Sequence, residues 1–247
     1  MALRTDTKRI GLLAPSSSTT QEFEYARILP ESITLHTSRL VLRTVDPNAT
    51  ISIVEEIEQE SRKLADADVD VIVLAATAPS SRKGLGYDHE LIGRIEAASG
   101  KRAMTASTGL MQALEVLGVR KIAIAAPWSD EVNRIAAAFI EASGVQVLAQ
   151  RALGHVANLD IGLLDPVSAF ELGCAVDHKD ADAVMLACGN WRTLGIVDRL
   201  EATLGKPVVT TNQVTLWASL RMIEHRAPVP EWGRLLRTGL NADARND

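Results

Sequence analysis

The sequence predicts an α/β fold of two pseudosymmetric halves, each with its own parallel sheet, and a site in the cleft between them. Three observations carry this. Short, almost wholly apolar runs such as Val71–Ala76 and Ala183–Cys188 alternate with segments of helical periodicity, the pattern of buried parallel strands and their crossover helices. The chain also repeats itself: Lys8–Ser16 matches Arg120–Trp128, and Asp68–Thr77 matches Asp180–Gly189, both at an offset of 112 (127 − 15 and 188 − 76). A third match, Gly100–Ser107 with Gly205–Asn212, has an offset of 105, and the seven extra first-half residues fall most simply in Gly84–His89. Finally, the apolar runs end in Ser, Thr, Asn or Cys, which sets polar side chains at strand carboxyl ends, where α/β sheets keep their sites.

The first strand is Lys8–Pro15. Ser16-Ser17-Ser18-Thr19-Thr20 then precedes a helix over Gln21–Ile28, and its hydroxyls and backbone N–H groups either cap that helix or hold an anion. Ser32–Arg43 reads as a strand with alternating Ile33, Leu35, Leu40 and Leu42. Ala49–Asp66 reads as one helix, with Ile53, Val54, Ile57 and Leu64 on its apolar face. The uniformly apolar third strand, Asp68–Ala76, is central. Pro79, Gly84 and Gly86 make Ala78–His89 an irregular loop, where a lid would sit. A helix (Glu90–Ala98), a strand (Lys101–Ala106) and a helix capped by Ser107 or Thr108 finish the half.

The second half opens with a strand (Arg120–Ala126) and a turn in which Ser129 or Asp130 caps a helix over Val132–Ser143. A strand (Gly144–Leu153) and a loop (Gly154–Pro166) follow, and Pro166 starts a helix holding Cys174 as a core residue. Beyond the strand that ends at Cys188 come a helix (Leu194–Leu204), a strand (Lys206–Thr211) and a helix (Val214–Ile223) capped by Thr211 or Asn212. The expected boundaries are residues 1–118, with the last helix free to cross over, residues 119–224, and a polar tail, 225–247, ordered only as far as Leu236.

With 247 residues, 47% hydrophobic and 23% charged, the chain can bury a full core. A net charge of −5 with interspersed signs leaves no basic face, so nucleic acid is not an expected partner. The N-terminal Met1–Arg9 lacks a signal peptide's apolar core and no run is long enough to span a bilayer, so a cytoplasmic protein with no membrane partner is expected. Cys174 and Cys188 make no disulfide framework, and neither they nor the five histidines have metal-ligand spacing, so no metal is expected.

Cys188, followed by Gly189 and Asn190, is the pivotal residue. A lone cysteine commonly serves as a small core hydrophobe. The repeat argues otherwise, because it sets Cys188 opposite Ala76 across the cleft. Asn190 and Asn212 read equally as turn and cap residues or as amides that orient a carboxylate.

These residues resemble the aspartate/glutamate racemase superfamily, in particular its maleate isomerase and arylmalonate decarboxylase branch. The resemblance covers residues 8–223. It rests on Ala14–Thr20, Gly84–Tyr87, Ala126–Asn133, and Cys188-Gly189 with Leu204–Asn212. It implies two α/β halves, no metal or organic cofactor, a small carboxylate or dicarboxylate as ligand, and a homo-oligomer. The family's isomerases and racemases use two opposed cysteines, whereas the first position here is Ala76. Ser18 replaces the Asn of the maleate isomerase motif, and Trp128 stands where a tyrosine is usual. The arylmalonate decarboxylases keep only the second cysteine, followed by glycine as here. The resemblance therefore implies Cys188 as proton donor and Thr77 as a hydroxyl that stabilises an enediolate. Pro15, Ser16, Ser17, Ser18, Ala76, Ala78, Trp128, Gly189, Asn190 and Asn212 would contact substrate. Decarboxylation of a substituted malonate is the implied reaction. Isomerisation or racemisation is the second reading, and a silent carboxylate-binding protein the third. A donor role suits a thiol near its reference pKa of about 8.5, a nucleophilic role a depressed one.

Overall fold

The computed structural model describes residues 7–241; the first six residues and the tail beyond Asn241, with the expectations drawn for them, lie outside the described residues. The first half runs β1 (Lys8–Pro15), α1 (Gln21–Tyr25), β2 (Ile33–Leu40), α2 (Ala49–Ser52), α3 (Ile57–Asp66), β3 (Val71–Leu74), α4 (Thr77–Ser81), α5 (Tyr87–Ser99), β4 (Arg102–Thr105) and α6 (Ala106–Val116). The second runs β5 (Lys121–Ala126), α7 (Asp130–Ala142), β6 (Gln146–Ala152), α8 (Asn158–Leu163), α9 (Pro166–Val176), β7 (Ala183–Leu186), α10 (Val197–Leu204), β8 (Val208–Thr210) and α11 (Thr211–Met222), with α12 (Arg234–Thr238) beyond.

Each half holds a four-stranded parallel sheet, ordered β2-β1-β3-β4 and β6-β5-β7-β8. The inner strands β3 and β7 are buried at every residue, as Val-Ile-Val-Leu and Ala-Val-Met-Leu require when helices cover both faces. The edge strands β2 and β6 are half-exposed and carry the polar alternation.

The repeat survives down to register. Ile10 pairs with Val71 and Ile122 with Ala183, both members moved by 112. Ile72 pairs with Ala103 and Val184 with Val208, moved by 112 and 105. The small polar anchors repeat as well. Asp70 accepts from the Arg9 N–H at 2.7 Å and Asp182 from the Lys121 N–H at 2.8 Å, tying each inner strand to its neighbour.

The helices that close the halves, α6 and α11, pack on each other. Their approach is close at Gly109, where a Cβ would lie 3.1 Å from the Met104 methyl and 3.2 Å from the Ala218 Cβ. From Thr211 to Leu220 every residue of α11 is buried, and Thr211, Asn212, Gln213, Thr215 and Ser219 bring polar side chains into the interior.

Several sequence expectations are corrected. Ala49–Asp66 is two helices, because Ile53–Glu56 turns between them. Ala78–His89 is no loose loop: α4 is wholly buried and α5 begins at Tyr87, which leaves only the turn at residues 82–86 between them. The helix caps lie earlier than expected. Thr105 accepts from the Thr108 N–H at 3.1 Å and Thr210 from the Gln213 N–H at 3.0 Å, because each strand runs straight into its helix. Loop 154–166 contains α8, and Cys174 on α9 is half-buried rather than core. The tail stays ordered past Leu236: Leu235, Leu236 and Leu240 are buried, and Gln213 Nε2 donates to the Trp232 carbonyl at 2.7 Å. Among the described residues no helix is long and apolar enough to cross a membrane, and no group of three or more His, Cys, Asp or Glu could hold a metal ion.

Candidate active site

The carboxyl ends of β3 and β7 meet at the junction of the halves. A Cβ on Gly189 would stand 3.1 Å from the Ala75 carbonyl oxygen and 2.8 Å from Gln21 Nε2, so only glycine permits this approach. Around it lies a cavity of about 30 Å³. Of the twelve residues singled out from the sequence, eight line it: Pro15, Ala76, Thr77, Ala78, Trp128, Cys188, Gly189 and Asn190.

Cys188 is 4% exposed and sits at φ +104°, a conformation that L side chains rarely adopt. Such strain persists where the surroundings over-determine it, and here the strand must turn abruptly to present the sulfur. Burial pushes the thiol up to about 12, against a smaller opposing effect of the Asn190 and Trp191 N–H groups. The thiol is therefore protonated at neutral pH, the state a proton donor needs.

A polar chain crosses from one half to the other. The Cys188 N–H donates to Thr211 Oγ1 at 3.0 Å, and Thr211 Oγ1 lies 2.9 Å from Thr77 Oγ1. Either hydroxyl can be the donor of this pair; with Thr211 donating, the Thr77 proton is free for the cavity. The repeat supplies no counterpart: Thr77 corresponds to Gly189, and Thr211 to Ala106.

The remaining expected residues serve the frame. Ser16 Oγ accepts from the Leu42 N–H at 3.1 Å, and Ser17 Oγ donates to the Leu42 carbonyl. Ser18 is buried with its hydroxyl 3.5 Å from Asn190 Oδ1, and none of the three serines lines the cavity. Asn190 borders it, yet its Oδ1 accepts from the Thr19 N–H at 2.8 Å and its Nδ2 donates to the Asn158 carbonyl at 2.6 Å. Trp128 directs its indole N–H toward Asn133 Oδ1 at 3.4 Å and presents a wall. Asn212 lies outside the lining and donates to Glu24 Oε2 at 2.6 Å.

Among the residues that sequence patterns do not single out are Thr211, Gln21 and Glu24. Thr211 reads from the sequence only as a cap. Gln21 opens α1 and lines the cavity, and the polar run before it was the available signal. Glu24, one turn on, receives the Thr193 and Leu194 N–H groups at 3.0 and 3.1 Å; burial nonetheless raises it to about 7. Above the cavity the segments after β2 and β6 clasp each other. Thr44 and Ala157 form an antiparallel bridge, the Val45 N–H donates to the Val156 carbonyl at 2.7 Å, and the Asn158 N–H to the Arg43 carbonyl at 2.9 Å. Leu42, Val45 and Asn158 from these segments reach the cavity, a role the sequence reading gave to residues 78–89.

Comparison with known proteins agrees with this architecture. A family model described as arylmalonate decarboxylase matches residues 10–236. A maleate isomerase of Pseudomonas putida is 32% identical over 241 residues, covering 92% of this chain and 96% of that one. The arylmalonate decarboxylase of Bordetella bronchiseptica is 29% identical over 237 residues, with 93% and 96% covered. The crystal structure of the maleate isomerase from Pseudomonas putida S16 superposes with a TM-score of 0.90 at 25% identity, covering 94% of this chain and 99% of that one. Two repeated sheets, a shared cleft and a single thiol at its centre thus have a common source: the chain is an enzyme and belongs to the arylmalonate decarboxylase family, in the maleate isomerase and arylmalonate decarboxylase branch of the aspartate/glutamate racemase superfamily.

Proposed function

We propose that this enzyme decarboxylates a small substituted malonate and protonates the product from Cys188. The observation that carries the reading is the pairing at the strand ends: a buried, protonated thiol on β7's end and only the Ala76 methyl at the corresponding place in the other half. One thiol serves a reaction that needs one proton delivered to one face.

In the proposed step the bond from the α-carbon to one carboxylate breaks, and its electron pair enters the remaining carboxylate as an enediolate while carbon dioxide leaves. The Thr77 hydroxyl, released by Thr211, and the backbone N–H groups opening α4 bear on the growing oxyanion charge. The Cys188 S–H proton moves to the α-carbon, leaving a monocarboxylate and a thiolate. Asn190 and Trp191 N–H groups receive that thiolate until a solvent proton restores the thiol. Cavity walls of Pro15, Leu42, Val45 and Trp128 keep water from the carbanion.

The test is carbon dioxide release from methylphenylmalonate and smaller malonates. We expect turnover by the native enzyme and a ~10³-fold loss in Cys188→Ala, within the range usual for removing one acid–base group. Turnover undiminished in Cys188→Ala would sink the assignment. The similarity to maleate isomerases favours a second reading, in which maleate is converted to fumarate; fumarate formation without carbon dioxide release would select it.

A further inference from the structure

Gln21 is 1% exposed, lines the cavity, and neither its Nε2 nor its Oε1 has a hydrogen-bond partner. The Tyr25 hydroxyl stands beside it and gives its proton to the Asn212 carbonyl at 3.0 Å, so toward the amide it offers Nε2 only a poorly placed acceptor and Oε1 no donor. A buried primary amide with both ends unpaired is costly, and native proteins keep few such groups. Leucine would fill much the same space without that cost. The amide also sits at the reacting end of the cavity, since Gln21 Nε2 is the atom that a Cβ on Gly189, next to the thiol, would strike at 2.8 Å. Elsewhere near the amide the cavity surface is largely apolar or already engaged in hydrogen bonds.

We propose that Gln21 is a specificity-determining residue that reads a hydrogen-bonding substituent on the substrate's α-carbon. A group that accepts from Nε2 and donates to Oε1 gives each end of the amide a partner. A hydroxyl does both, whereas a methyl or phenyl group leaves both ends unpaired. The preferred substrate class is then a small α-hydroxy diacid, 2-hydroxymalonate being the simplest, ahead of its near-isostere methylmalonate. A site built to hydrogen-bond a hydroxyl discriminates strongly against the analogue that lacks it, because its own polar groups are left unpaired. This specificity rests on the decarboxylase reading, but the recognition itself does not depend on turnover.

The experiment compares 2-hydroxymalonate, methylmalonate and phenylmalonate with native enzyme, Gln21→Leu and Gln21→Met. Carbon dioxide release gives kcat/KM, and calorimetric titration into the Cys188→Ala protein, with and without Gln21→Leu, gives Kd. We expect native enzyme to favour 2-hydroxymalonate over methylmalonate by about 10- to 100-fold, a margin set by one or two hydrogen bonds. Both Gln21 variants should bring that ratio close to one, and Gln21→Leu should raise Tm. If no diacid releases carbon dioxide, the decarboxylase reading falls and the Kd ratio alone judges Gln21. A native preference for methylmalonate or phenylmalonate, a ratio unchanged by Gln21→Leu, or no binding of 2-hydroxymalonate overturns the assignment.

Discussion

At Cys188 backbone and side chain make opposite demands. Its φ of +104° suits glycine, while the proposed chemistry needs the thiol. The usual stability order of alanine over glycine should therefore reverse here: Cys188→Gly should unfold at a higher denaturant midpoint than Cys188→Ala, by about 1 kcal/mol or more, with both inactive. Equilibrium urea titration of the two variants checks it. The raised thiol pKa has its own signature. An unfolded-state thiol ionises near 9 while the folded one stays protonated to about 12, so its contribution is full below 9 and is lost as pH rises from 9 to 12. Relative to Cys188→Ala, native stability should fall by up to about 1.4 kcal/mol per pH unit in that window, read as a steeper drop in Tm. The identity of this residue as the centre was legible because a lone thiol ends an apolar run and breaks an internal repeat. Its strained backbone was not, since nothing in Ala-Cys-Gly-Asn dictates a positive φ at the cysteine rather than at the glycine.

Strands, inner helices and the likeness of the two sheets follow from patterns that the sequence displays openly: uniform apolar runs, and a repeat whose offset relates equivalent pairs. The misjudged elements share a cause. Glycine and proline marked residues 78–89 as loop, yet Pro79 lies in the first turn of α4, where a missing N–H costs nothing, and Gly86 is the left-handed residue just before α5. Caps were placed late because Ser107, Thr108, Thr211 and Asn212 are all good capping types, and only the backbone reveals which residue still holds extended φ and ψ. The junction between β8 and α11 carries a functional consequence. Thr211→Val removes the acceptor for the Cys188 N–H and the partner of Thr77 together. It should lower kcat by roughly 10- to 100-fold in steady-state assays, with Thr77→Val showing a similar loss and the double variant far less than the product of the two, as expected of groups acting in one chain.

The two halves should unfold as one cooperative body. Glu24, Tyr25, Thr77 and Thr19 of the first half all bond across to the second, and α6 lies on α11. Calorimetry should show a single unfolding transition with matching calorimetric and van't Hoff enthalpies; two resolved peaks would contradict it. Glu24 makes that unity pH-dependent. Its folded pKa, raised by burial from 4.5 to about 7, means its contribution is complete below 4.5 and is lost as pH rises through 7. Glu24→Gln should flatten the decline of Tm between pH 5 and 8. The whole-molecule plan was legible because duplication leaves a periodic trace. The cross-half bonds were not, because they join residues such as Glu24 and Asn212 that no pattern associates. The clasp between the segments after β2 and β6 brings time into the picture. Leu42, Val45 and Asn158 of this clasp line the cavity, so a diacid entering past them must first break the Val45 and Asn158 N–H bonds to the Val156 and Arg43 carbonyls. The deuterium exchange rate of those two amides then becomes a clock for admission. Turnover by that route should not outrun it, and stiffening the clasp should slow the enzyme while leaving the thiol and its chemistry unchanged; a stiffened clasp with undiminished kcat would contradict this.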